Sequence, residues 1–133
     1  MTRKSAALSL QESIFQRLKK HLNHAVYDQP PQNAKFPYVT LGEDTVVDWS
    51  TKLVPGEEIT HTLHIWSQYP GMQELKTLID QTIQALTISP LVISGFDVIV
   101  SAMDGIQTLR DPDGVTRHGV LRFRFKVSQQ KEA

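Results

Sequence analysis

Leu10, Ile14, Leu18 and Leu22 recur every four residues, with Phe15 and Val26 on the flank. That spacing stacks apolar side chains on one face of a helix, and it predicts a helix over residues 9–24. Ser9-Leu10-Gln11-Glu12 reads as its capping box, in which the Ser9 hydroxyl accepts from the Glu12 amide and Glu12 reaches back. Arg17, Lys19 and Lys20 fall on or near the wet side. Pro30-Pro31 cannot continue a helix, so Asp28 to Asn33 is a loop. From Phe36-Pro37 the period changes to two. Val39, Leu41, Val47 and Trp49 share one parity, with Glu43 a polar blemish at which burial is expected to stop; Tyr38, Thr40, Gly42, Asp44 and Asp48 share the other. This predicts a strand of about ten residues, wet on one side.

Ser50 to Glu57 is a loop holding the turn dipeptide Pro55-Gly56. A second strand puts Ile59, His61, Leu63 and Ile65 on one face and Thr60, Thr62, His64 and Trp66 on the other, and it pairs antiparallel with the first. Met72, Leu75, Leu78, Ile79, Ile83 and Leu86 return to helical spacing and predict a second helix over 72–86, stopped by Ser89-Pro90. A third strand carries Val98, Val100 and Ala102 on one parity and runs on towards Leu109. Asp111-Pro112-Asp113-Gly114 is a tight turn. In the last strand Leu121, Phe123, Phe125 and Val127 point inward, and Arg122, Arg124 and Lys126 outward. Helix, strand, strand, helix, strand, strand is an α+β domain: an antiparallel or mixed sheet of about four strands with two helices packed on one face. The chain, 133 residues, is expected to be one domain with flexible ends at 1–7 and 129–133.

Composition narrows the chemistry. Net charge is zero, with 14 basic and 14 acidic side chains, so no broad positive field points to general nucleic-acid binding. There is no cysteine, hence no disulfide framework, thiolate metal site or thiol nucleophile. No apolar run is long enough to span a membrane, and Met1-Thr2-Arg3-Lys4 lacks the apolar stretch of a signal peptide. A soluble protein is the expectation. The charges are uneven along the chain: residues 1–35 sum to +4, residues 36–100 to −6 and residues 101–133 to +2. Either folding mixes them again, or one copy's basic face packs on the next copy's acidic face.

No phosphate-binding loop, dinucleotide fingerprint or nucleophile elbow occurs. His61 and His64 sit three apart on a strand and face opposite ways; His21 and His24 share a helix face without an obvious third ligand. Neither pair points to a metal, and no cofactor is expected. The basic row Arg122, Arg124 and Lys126, with Arg110 and Arg117 at its end, is either a solvated sheet face or a contact with another subunit, nucleic acid being third. Trp49 and Trp66 lie at strand ends, where tryptophan serves as a core edge or an interface anchor. Leu53-Val54 is an apolar pair in a loop that ought to be wet: it packs back on its own sheet or touches another chain. The candidate contact residues are therefore Trp49, Lys52, Leu53, Val54, Glu57, Arg110, Arg117, Arg122 and Arg124.

Five stretches carry a resemblance. Pro31-Gln32 leads into Phe36-Pro37-Tyr38-Val39-Thr40-Leu41-Gly42; Asp48-Trp49-Ser50-Thr51-Lys52 and His61-Thr62-Leu63-His64-Ile65-Trp66-Ser67 follow. Leu109-Arg110-Asp111-Pro112-Asp113-Gly114, with Arg117-His118-Gly119 and Arg122-Phe123-Arg124, closes the series. In this order and spacing, over residues 8–127, the chain resembles the siphophage tail completion family, also called tail-to-head joining or tail terminator proteins, and within it the Bacillus siphophage member. The resemblance implies a non-enzymatic virion protein of α+β fold with no catalytic residues. Such a protein is a monomer in solution, adds to the head-proximal end of the tail tube as a ring, expected to be hexameric, and stops tube growth. Its partners would be the tail tube protein, the head completion (connector) protein and copies of itself; DNA would pass only transiently through the ring, and no membrane is involved. Its place would be the head–tail junction of the virion, assembled in the host cytoplasm. The residues alone also allow a small bacterial binding or adaptor domain that self-associates through its sheet edge.

Overall fold

The computed structural model describes residues 2–131. The elements are α1 (Ala7–His21), β1 (Ala25–Tyr27), β2 (Tyr38–Asp48), β3 (Gly56–Ser67), α2 (Gln73–Thr87), β4 (Phe96–Arg110) and β5 (Arg117–Gln129). They build one sheet in the order β1-β2-β3-β5-β4. β1 joins β2 in parallel and every other pair is antiparallel, so the sheet is mixed. Both helices lie on one face, as an α+β domain requires. The expected four strands become five. Ala25–Tyr27 is too short to show an alternation, and Val26 reads equally well as the last apolar position of the helix.

α1 corrects the capping box. It begins two residues before Ser9, and its cap residue, Ala6, makes no side-chain cap bond. Glu57 of β3 supplies the acceptor instead: its Oε1 takes the Ala6 amide at 2.7 Å and the Ser5 hydroxyl at 3.1 Å. A carboxylate there meets unpaired amides and the positive end of the helix dipole. Ser9 is thus already inside the first turn. The preceding stretch, expected to be a loose end, touches the sheet: Arg3 bonds Asp48 at 2.6 Å and the Lys4 amide bonds Gln129 Oε1 at 2.9 Å. At the other end, Gln129 is buried in β5 and the Gln130 amide bonds the Gly95 carbonyl at 2.9 Å. The rest of the expected flexible ends, Met1 and residues 132–133, lies outside the described residues.

Bulges reset which side chains face the core. In β2, Leu41 pairs with Leu63 but Asp44 pairs with His61, so one extra residue is inserted near Glu43. Every later side chain changes face. Val47 and Trp49, expected on the core side, lie on the opposite face, and Asp44, Val46 and Asp48 take their place. β4 shifts twice, between Val98 and Val100 and between Met103 and Gly105. Val98 therefore packs against the core while Val100 and Ala102, expected beside it, face away.

Leu10, Ile14 and Leu18 of α1 and Leu75, Leu78, Ile79 and Leu86 of α2 close over Val39, Ile59, Leu63, Ile65, Leu121, Phe123, Phe125 and Val127. The inward row of β5 is as its alternation predicts. Helix α2 comes very near β5 at Gly119, where an added Cβ would stand 2.7 Å from Ile79 Cδ1. Phe123 and Phe125 are fully buried, their ring centroids 5.9 Å apart. Truncating Phe123→Ala leaves a cavity between sheet and helices and should cost about 3–5 kcal/mol. Denaturant unfolding reads this as a lowered midpoint at unchanged slope.

Candidate assembly interface

The sheet has a helix-covered face and a bare one, and the candidate residues divide among three places on it. The β2–β3 connection is a closed turn. Trp49 N bonds Gly56 O at 2.9 Å, Thr51 N bonds Val54 O at 2.9 Å, and the Gly56 amide bonds Ser50 Oγ at 3.0 Å. These bonds leave Leu53 at the tip with 88% of its surface exposed, so it does not fold back on its own sheet. Lys52 stands beside it, Val54 is half-buried, and Trp49 lies on the bare face with Lys126 Nζ 5.3 Å from its ring centroid. Glu57, counted with this loop from the sequence, is buried and engaged by Ser5 and Ala6.

Arg122, Arg124 and Lys126 project from the bare face of β5. Thr62, Thr60 and Glu58 oppose them on β3, and Gly105, Ala102 and Val100 on β4. Among the described residues none of the three cations is in a salt bridge. Arg110 and Arg117 are not the end of this row. They oppose each other at the far end of β4 and β5, on the helix side of the sheet.

A polar cluster that the sequence did not reveal sits at the same end of the bare face. The His118 ring stacks on Trp66 at 3.8 Å and 7°, and its Nε2 lies 2.7 Å from His64 Nδ1. The other nitrogen of His64 lies 3.2 Å from Glu43. One imidazole must donate to the other, so the contact breaks if both are protonated. Burial first, then the neighbouring His64, hold His118 below the ordinary imidazole value. His61, as its parity predicts, is on the opposite face, fully buried and bonded through Nδ1 to Asp44. Among the described residues no three His, Asp or Glu side chains are placed to hold a metal ion.

The sequence predicts the strand β4 but not the exposure of its apolar side chains. Ile99, Met103, Ile106 and Leu109 are 54%, 49%, 46% and 39% exposed along this edge strand. They share no single parity, because the two register shifts place Met103 and Ile106 on the helix side and Leu109 on the bare side, with Ile99 at the first shift.

Comparison with known proteins places the chain in a family. Residues 12–128 match the model of the family described as tail completion protein gp17. The chain belongs to this family. Tail completion protein gp17 of Bacillus phage SPP1 is 29% identical over 133 residues, covering 96% of this chain and 98% of the phage protein. The solved structure of bacteriophage SPP1 gp17 superposes with a TM-score of 0.61 at 28% identity, over 97% of this chain and 94% of that one. A chain in the virion of a native gene transfer agent particle superposes better, with a TM-score of 0.85 at 25% identity, over 95% of this chain and 99% of that one. Membership of the tail completion family carries a structural role in a phage tail.

The polar cluster makes the stability of this tail completion protein depend on pH. His118 titrates from an ordinary value of 6.5 in the unfolded chain and from a lower one in the fold. Its contribution is therefore present above pH 6.5 and lost as pH falls through the folded value. Glu43 and Asp113 are held low mainly by hydrogen bonds, from the Glu43 backbone amide and from Thr116 respectively, and their contribution is lost only in stronger acid. Unfolding midpoints measured against pH should decline in two limbs. His118→Gln should remove the limb just below neutrality and keep the acid one.

Proposed function

We propose that this protein closes the head-proximal end of a phage tail tube as a ring, stops tube growth, and presents the surface by which the tail joins the DNA-filled head. The role is non-enzymatic. Its partners are the tube protein, the head completion protein and further copies of the chain, with DNA passing through the ring. The protein is a monomer in solution and a hexamer on the tail, at the head–tail junction of the virion. The observation that carries this reading is the near full-length match to the tail completion family, together with the superposition on a chain of an assembled virion particle. The exposed tip at Leu53 supports it, because a lone apolar knob held out by a hydrogen-bonded turn gains only when another surface covers it. Two faces of contact are natural for such a ring: the turn with Trp49, Lys52, Leu53 and Val54 at one end of the strands, and Arg110 and Arg117 at the other.

The test is addition of purified protein to tails made without it. Tube length should stop increasing, and tails should become competent to join filled heads. The change Leu53→Ser with Val54→Ser, at an exposed and a half-buried position of the turn outside the core cluster, should lower the unfolding free energy by no more than about 1 kcal/mol. The same change should lower the yield of joined particles, counted as free tails and free heads in complementation of a phage lacking the gene. Wild-type yield would remove the turn from the contact surface.

A further inference from the structure

Both edges of the sheet are open in ways that fit each other. β1 covers only Tyr38–Thr40 of β2, so the rest of β2 has a free backbone edge. Beyond its bulge β2 has a regular run, Asp44–Asp48, with Val46 41% and Val47 55% exposed. On the opposite edge, β4 is broken by two shifts, which discourage pairing over its first half. Its last six residues, Gly105–Arg110, are regular, contain neither proline nor lysine, and expose Ile106 and Leu109. Each copy thus carries two short regular edge runs with exposed apolar side chains, Val46 and Val47 at one edge and Ile106 and Leu109 at the other.

Direction and charge select the occupant. Three antiparallel steps separate β2 from β4, so the two strands run in opposite senses. A second copy set beside the first without being turned over brings its β2 antiparallel to this β4, the same ladder that builds the rest of the sheet. With Asp44 of one copy opposite Arg110 of the next, Val46 falls opposite Thr108 and Asp48 opposite Ile106, all on the helix side. Thr45 then meets Leu109, and Val47 meets Gln107, on the bare side. This register sets Arg110, whose cross-strand neighbour in the monomer is Arg117, opposite the carboxylate of Asp44, whose Oδ1 also bonds His61.

We propose that residues 44–48 of one copy pair antiparallel with residues 106–110 of the next, continuing the sheet from subunit to subunit. The contact is head-to-tail, so it propagates from copy to copy and can close as a ring when the rotation between copies allows it. This rests on the ring reading above and names the surface that forms it.

The chain has no cysteine, which makes the test clean. Val46→Cys with Thr108→Cys introduces one thiol on each edge. Within a copy the two lie three strands apart, at least about 14 Å, too far for a disulfide. Assembled on tails and mildly oxidised, the double variant should run on a non-reducing gel as a ladder of chain multiples that collapses on reduction. Either single change should stay monomeric. Val47→Cys with Gln107→Cys, on the other face, should give the same ladder and decides the matter if the first pair folds poorly. Tails capped at wild-type yield with both pairs remaining monomeric would overturn the proposed register. The wild type run on the same tails separates the two readings: if it does not stop tube growth, the ring itself fails, and the strand pairing with it.

Discussion

Two helices cannot roof five strands. Packed helices lie about 8–10 Å apart, so a pair shelters roughly 20 Å of sheet, whereas five strands at about 4.8 Å, with their side chains, are wider. Here α1 sits towards β1 and β2, and α2 sits over β3 and β5. The inner rows of β3 and β5, with Phe123 and Phe125 at the centre, are sealed. β4 is left outside, and Met103 and Ile106 stay half-exposed although they lie on the helix side. The bare edge at β4 follows from where that roof ends.

The roof is fastened by charge as well as by apolar contact. Glu57 reaches from the first residues of β3 to the start of α1, and Arg3 reaches from before α1 to Asp48 at the end of β2. The basic N-terminal segment is thereby laid against the acidic middle of the same chain. Part of the charge separation seen along the sequence is neutralised inside the monomer. What survives is local: the unpaired row on β5, and Arg110 beside Arg117 at the far end of β4 and β5.

The conformational economy of the hairpin turn serves the same end. Ser50 and Thr51 side chains replace the ladder bonds that end at Trp49 and Gly56, so the turn is formed before any partner arrives. A pre-formed turn carrying Leu53 at its tip loses little further freedom on docking.

Local periodicity determined which segments are helical, that the last strand buries Leu121, Phe123, Phe125 and Val127, and that His61 and His64 part company. Those are properties of residues a few positions apart, where geometry is set by the helix and strand repeats themselves. Only the tertiary structure decided the rest. The acceptor at the start of α1 comes from Glu57, some fifty residues away, so no nearby spacing encodes it. One inserted residue near Glu43 reverses every face beyond it, and in β4 a first shift reverses the faces and a second restores them, because a two-residue period keeps no memory of the core once a bulge intervenes. The exposure of Ile99, Ile106 and Leu109 is set by the position of β4 in the sheet order, and sheet order is a matter of which strand pairs with which across the whole chain.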